Sequence, residues 1–440
     1  MRNRKTGRRL WACLPALLVA LFAQWPVFAA EPVAAAGKPA DFRSQNFLVH
    51  TDVPPAEAKA LLERLETMLK LISGYWGRKP SGIIECYIVR DLANWPDGAM
   101  PAGGVAKIRE GAGVTISESL RSANTFVAKA TVYSVADIGV PQHEAVHAYC
   151  QQTFGSVGPL WYAEGMAEMG QYWREGNLEV SCHPGVLEHI QKAQPKRTMR
   201  EILDTNRQAG DTWENYAWRW ALCHLLANNP NYKAQFRPLG VGLLLEQAVS
   251  FEETYGAVAE QISFEYDFFL NHIDRGYRVD LCAWDWKRKF ATPPPGGTPI
   301  AAKVKAAAGW QPSGATLTAG TPYAYTASGT WQTAKDAKPV AADGGDKGKK
   351  NVPGRLIGII MRASEPGQRF DISKPFELSE PFDLSEQGTF TPTSHGRLFL
   401  RCFDQWNELA DNSGTVAFKL KLAAVGDPLP TPTPTATKPR

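Results

Sequence analysis

Cysteine is scarce in this chain of 440 residues, and none of its seven cysteines stands in a CxxC or CxxCH spacing. Thiolate metal sites and covalent haem attachment therefore have no support. An excess of charge of one sign is lacking as well: 48 Lys and Arg face 44 Asp and Glu, and charged residues make up 21% of the chain. Together with a hydrophobic content of 44%, this excludes a wholly disordered chain as well as collagen-like and coiled-coil classes. No internal repeat stands out. The length favours two to three domains and is ample for a sizeable core.

What is there begins with Arg2, Arg4, Lys5, Arg8 and Arg9, then an apolar run from Leu10 to about Phe28 that exits through Ala29-Ala30. A basic start, an apolar middle and a small-residue exit predict a secretory signal peptide over 1–30. The rival reading is an uncleaved anchor, since about 19 apolar residues just span a bilayer; Pro15, Gln24 and Pro26 speak against a clean span. Cys13 lies too early in the run for a lipoprotein cysteine. The expectation is an exported protein (periplasmic, extracellular or cell-surface) with no stable membrane span after cleavage. Without the leader, 43 basic residues face 44 acidic ones, so the mature chain is about −1 and no nucleic-acid partner is expected. The remaining Cys86, Cys150, Cys182, Cys223, Cys282 and Cys402 would meet an oxidising compartment, as a few disulfide staples or as buried free thiols.

Residues 291–303, ATPPPGGTPIAAK, form a Pro/Gly connector. Before it helical periodicity dominates; after it short alternating strands do, and this change of period marks a domain boundary. Within the first domain, 31–290, Phe47–Thr51 reads as a strand, and Leu61, Leu62, Leu65, Met68, Leu69 and Ile72 predict a helix over 55–74. Ile83–Val89 and Gly113–Ser117 read as further strands, and helices prevail from Pro141 to about residue 275, an α+β layout. In the second domain, 304–424, Gly309–Gly314 reads as a turn leading into strands at Tyr323–Ala327, Leu356–Ile360, Arg397–Arg401 and Val416–Leu420. That spacing predicts an all-β sandwich or jelly roll. Ala334–Asn351, rich in both signs of charge, reads as a solvated insertion. The tail, 425–440, is Pro/Thr-rich and expected to be extended.

Chemistry concentrates at His143-Glu144-Ala145-Val146-His147. Four residues apart on a helix, the two imidazoles share one face and can share one metal ion. Glu144 stands beside the first of them, placed to take a proton from an attacking water. Pro141 suits the first turn of a helix. Two imidazoles and one carboxylate would make zinc the natural ion. The bland alternative is a helix with two surface histidines. Sixteen residues after His147 comes Glu164, within Trp161-Tyr162-Ala163-Glu164-Gly165-Met166-Ala167-Glu168. A second helix there could swing a carboxylate onto the same metal.

This pairing of HEAVH with WYAEGMAE resembles the gluzincin metallopeptidases of the peptidase-MA type. The resemblance spans roughly residues 41–275. In that group a Trp-x-x-Glu-Gly-x-Ala segment supplies the third zinc ligand. The resemblance therefore implies a zincin-like α+β domain that cleaves a peptide or protein substrate, with His143, His147 and Glu164 on Zn2+ and Glu144 as general base. Glu168 would orient a ligand histidine. The related peptidases often carry a Tyr at the start of a later helix, which makes Tyr216 the candidate donor to the oxyanion, with His224 and His189 in reserve. Tyr216 lies among Trp213, Trp218 and Trp220, so an aromatic core packer is the competing reading. Tyr149 and Tyr162 read as core or pocket wall.

The second domain resembles the PA-IL-like calcium-dependent lectins through Gly309-Trp310, Ala327–Trp331, Gly354–Gly358, Gly396–Leu398 and the Asp404 to Asn412 loop. The resemblance implies Ca2+ held by the side chains of Asp404, Asp411 and Asn412 and by the Glu408 carbonyl, with a glycan as partner. The competing reading is an Asp-Asn-Ser-Gly turn that closes a hairpin. The expectation as a whole is an exported zinc metallopeptidase with a lectin-like sandwich. Its rival is a non-catalytic, zinc-containing surface or glycan-binding protein, against which the intact Glu144 argues.

Overall fold

A computed structural model describes residues 37–424, apart from 122–125, 205–211, 347–348, 350–351 and 363–375. The expected signal peptide, the Pro/Thr-rich tail and part of the Ala334–Asn351 insertion lie outside the described residues.

The N-terminal part runs β1 (Ala40–Arg43), β2 (Phe47–Thr51), α1 (Pro55–Trp76), β3 (Ile84–Val89), α2 (Ala102–Arg109), β4 (Gly113–Arg121) and β5 (Phe126–Val135). The five strands form one mixed sheet in the order β1-β2-β3-β5-β4, with β2, β3 and β5 parallel and β4 antiparallel at the edge. Period-two alternation sends Phe47, Val49, Ile84, Cys86, Ile88, Ala130 and Val132 to one face, which is fully buried. Leu61, Leu65, Met68 and Ile72 of α1 pack there. Tyr87, Val89, Tyr133 and Val135 point the other way and meet Val105 and Ile108 of α2. Strand β5 escaped the sequence reading because it carries apolar side chains on both faces, which blurs the period-two signal.

Helices follow: α3 (Val140–Phe154), α4 (Leu160–Tyr172), α5 (Pro184–Lys192), α6 (Met199–Leu203), α7 (Trp213–Asn228), α8 (Lys233–Leu244), α9 (Phe251–Tyr255), α10 (Ala259–His272) and α11 (Val279–Cys282). A buried carboxylate ties their far end together. Glu265 of α10 accepts from Asn229 Nδ2, Tyr232 Oη and Trp286 Nε1 at 2.6 Å each. It also accepts from Asn231 Nδ2 at 3.1 Å and the Trp284 amide at 3.3 Å. Burial raises its carboxyl, with these donors opposing. Among the described residues, no helix is long and apolar enough to cross a membrane.

The C-terminal part contains β6 (Ile300–Lys305), β7 (Gln311–Leu317), β8 (Tyr323–Gln332), β9 (Leu356–Arg362), β10 (Phe382–Asp383), β11 (Gln387–Phe390), β12 (Gly396–Cys402) and β13 (Ser413–Leu422). They make two antiparallel four-stranded sheets, β10-β9-β12-β7 and β11-β8-β13-β6, that share a sandwich core including Leu317, Tyr323, Leu356, Leu398 and Phe418. Two expectations need correction. The connector expected over 291–303 ends before Ile300, because Ile300–Lys305 pairs with β13. Gly309–Gly314 is not simply a turn, since Gln311–Gly314 opens β7. The strand tolerates Pro312 and Gly314 because it lies at a sheet edge and its ladder with β12 shifts register between Arg397 and Phe399.

The six described cysteines are free and buried, which decides between staples and thiols. Burial pushes the thiols of Cys182, Cys282 and Cys402 up to about 12 and raises those of Cys86, Cys150 and Cys223 as well. A thiol-disulfide reagent at pH 8 should modify none of these six in the folded chain and all of them in denaturant, counted by mass spectrometry.

Candidate metal centre

The face pattern of α3 is unlike that of a surface helix. Pro141, Gln142, His143, Glu144, Ala145, Val146, Ala148, Tyr149 and Cys150 are all buried, so two surface histidines is not what the chain builds. One side of α3 lies on β5 and β4, and the other meets α4. Helix α4 is itself wedged against α7, and the absence of a side chain at Gly165 permits this. A Cβ there would lie 2.7 Å from the Arg219 carbonyl oxygen and 2.4 Å from Cys223 Sγ. This close approach sets Glu164, one residue earlier, against α3.

Three donor atoms converge as a result. His143 Nε2 lies 3.1 Å from Glu164 Oε2 and 3.2 Å from His147 Nε2, and His147 Nε2 lies 3.5 Å from Glu164 Oε2. With metal–ligand bonds of about 2.0–2.1 Å, the edge of a zinc tetrahedron is about 3.3 Å. The three separations fall around that value, so this buried trio could hold a metal ion. The far side of His143 is fixed: its Nδ1 lies 2.8 Å from Glu168 Oε1. Donation from Nδ1 leaves the lone pair on Nε2, facing the trio. Glu168 in turn accepts from the Tyr172 hydroxyl.

The electrostatics follow from this packing. Burial pushes the Glu164 carboxyl up, but hydrogen bonds and charge from His143 and His147 outweigh it and hold the group well below the ordinary carboxylate range. Burial likewise disfavours the His143 imidazolium, yet Glu164 and Glu168 together raise it well above the ordinary histidine value.

Glu144 stands outside the trio. Its Oε2 lies 2.8 Å from Thr115 Oγ1, a hydroxyl equally close to the Glu144 carbonyl oxygen. Thr115 belongs to the edge strand β4, so Glu144 lies beside a strand whose outer edge is unpaired among the described residues. Across from it, the Tyr216 ring lies 5.4 Å from the His143 ring, in the first turn of α7, with the Arg219 guanidinium 5.6 Å from its centroid. The two reserve candidates lie elsewhere. His189 packs its ring at 5.1 Å from Trp213 and 5.3 Å from Trp218. His224 is buried between Trp220 and Phe269. Tyr149 donates to the Arg78 carbonyl at 2.6 Å and Tyr162 accepts from Trp76 Nε1 at 2.7 Å, and both are core residues. Thr115, Tyr172 and Arg219 had no motif to announce them; the strand pattern at Val114–Ile116 was the sole signal for the first.

In the sandwich, Asp404 and Asn412 are each 6% exposed. Asp404 Oδ1 accepts from the Gln405 amide at 2.9 Å, whereas Asp404 Oδ2 and Asn412 Oδ1 are buried with no hydrogen-bond partner. Burial raises the Asp404 carboxyl, with Asn412 and the Gln405 amide opposing. Glu408 and Asp411 are exposed.

No family model matches the chain, and no curated protein matches it significantly. Among solved structures, it is similar to a domain described as "EclA N-terminal domain; PllA-like lectin", at 16% identity and a TM-score of 0.22, over 29% of this chain and 100% of that one.

His224 provides a pH test of the helical packing. Its Nε2 has no partner, and burial lowers the imidazole to about 4. Between the unfolded value of 6.5 and about 4 the unfolded chain binds a proton that the folded chain refuses. Stability should therefore be intact above 6.5 and fall as pH drops through this window, by roughly 3 kcal/mol at most. Urea midpoints measured from pH 7 to 4.5 should fall less steeply for His224→Phe than for the parent; equal slopes would assign the acid sensitivity to other groups.

Proposed function

We propose that this chain is an exported zinc metallopeptidase of gluzincin type. The observation that carries the reading is the His143, His147 and Glu164 trio at tetrahedral-edge separations, with the Glu144 carboxylate next to it in the chain. Two neutral imidazoles and a carboxylate form a donor set suited to zinc rather than to calcium or magnesium, which favour oxygen. When bound, zinc supplies a Lewis acid that polarises a scissile carbonyl and makes water more acidic.

The chain's own residues supply the rest. Glu168 holds His143 in the tautomer that leaves Nε2 free to ligate. Glu144 takes a proton from the attacking water at a carboxylate oxygen and returns it to the leaving amine, while Thr115 fixes the carboxylate's orientation. The Tyr216 hydroxyl, carried on a ring beside His143, would donate to the oxyanion as charge develops. The edge of β4, unpaired among the described residues, offers backbone groups to an extended peptide, a strand-addition mode that orients a substrate without reading its sequence.

For the sandwich, the partnerless Asp404 Oδ2 and Asn412 Oδ1 support a hard cation such as calcium. Glycan binding extends that reading, and a glycan array with and without chelator tests it.

Metal analysis should find about one zinc per chain in the parent and in Glu144→Gln. Peptide-library cleavage should drop by about 10²–10⁴-fold in the variant. A parent protein that takes up no zinc would overturn the reading; zinc without cleavage of any peptide would favour the non-catalytic rival. Glu168→Ala should weaken zinc binding by about 10–100-fold in chelator competition.

A further inference from the structure

The loop Phe403–Asn412 joins β12 to β13, and its two ends carry the partnerless oxygens of Asp404 and Asn412. Its middle is divided: Gln405, Glu408, Ala410 and Asp411 face solvent, while Trp406, Asn407 and Leu409 turn toward the helical part. Leu409 is 1% exposed and belongs to the core of the N-terminal, helical part of the chain, not to the sandwich core. The Trp406 ring lies 5.0 Å from Phe268 and 4.9 Å from His272, both on α10. Asn407 Nδ2 donates to the Arg275 carbonyl at 3.1 Å. The neighbouring Gly276, at φ 89°, leaves room for the Asn407 carbonyl, which a Cβ there would approach to 2.9 Å. Arg401 stacks on Trp406 at 3.5 Å, and its guanidinium donates to the Asp404 carbonyl.

The loop therefore binds its own chain. Around it, Trp284, Trp310 and Phe399 form an aromatic seam with Phe264 and Phe268 of α10, and the Gly309 amide donates to the Leu281 carbonyl at 2.8 Å. The seam's own aromatic contacts are already made. The buried groups of the seam and loop left without a partner are the Trp284 Nε1–H, a donor that no cation would satisfy, and the two acceptor oxygens at the ends of the loop. A cation that ligates both would fix the span between them, and that span carries Trp406, Asn407 and Leu409.

Resting on the calcium reading above, we infer that a divalent cation between Asp404 and Asn412 acts as an intramolecular lock, setting the loop that fastens the sandwich to the helical part. The contacts of this loop serve the chain's own α10 and the turn after it, and the cation's role is to couple the two parts.

The test uses the full chain, zinc-loaded throughout and freed of calcium. Terbium, sensitised by tryptophan emission and displaced by calcium, reads the cation site. Limited proteolysis within the exposed connector (residues 294–299) and thermal unfolding read the lock. Calcium should displace terbium, slow connector cleavage at least tenfold and raise the unfolding temperature of both parts in one transition. In Asn412→Ala the terbium signal and both responses should vanish. In Leu409→Ala, and in the milder Asn407→Ala should the first fail to fold, terbium should still bind while calcium protects less. Binding of both ions with unchanged cleavage and unfolding would overturn the lock and leave the calcium reading standing. Binding of neither at millimolar concentration would overturn both.

Discussion

Two imidazoles and a carboxylate do not gather out of water without compensation. Their mutual approach at His143, His147 and Glu164 is the constraint on which the rest of the helical part depends. Each group loses hydration on burial, so each must find a partner or a metal. The chain meets this demand in layers: Glu168 takes the far nitrogen of His143, Tyr172 takes Glu168, and α7 closes over α4 at Gly165. The sheet gives α3 a rigid floor, and the edge strand β4 brings Thr115 to Glu144. A bulkier residue at 165 would move Glu164 without touching a single proposed ligand.

A second buried acid solves the same problem differently. Glu265 is surrounded by five donors from the Asn229–Tyr232 turn and the Trp284–Trp286 segment, enough to satisfy a carboxylate without any ion. Where protein groups saturate the oxygens, the role is structural. Where donor atoms of several side chains converge on one point, as at the trio, the group could hold a metal ion.

Legibility in the sequence followed the range of the interactions. The His143/His147 pair is local, fixed by helical spacing, and it was readable, as were the amphipathic helix, expected over 55–74 and found over 55–76, and the strongest sandwich strands. Glu164 was readable because a helix-borne Glu-Gly pair resembles a known motif. Thr115 was not, because its approach to Glu144 depends on β4 joining the sheet edge, a pairing between distant segments. Strand β7 was hidden by Pro312 and Gly314, which signal a turn locally and are accommodated only because the strand lies at an edge. The inward turn of the Asp404 loop was hidden for the same reason: whether Leu409 faces solvent or another domain is not written in its neighbours.

The six buried thiols carry a consequence for how such a chain matures. A fold braced by packing alone, with no covalent cross-links among its described cysteines, gains nothing from an oxidising folding catalyst and loses nothing in a reducing one. The folded state is therefore insensitive to redox poise, whereas the unfolded chain is not: its thiols must be buried before they can pair wrongly, so in an oxidising compartment folding has to outrun oxidation.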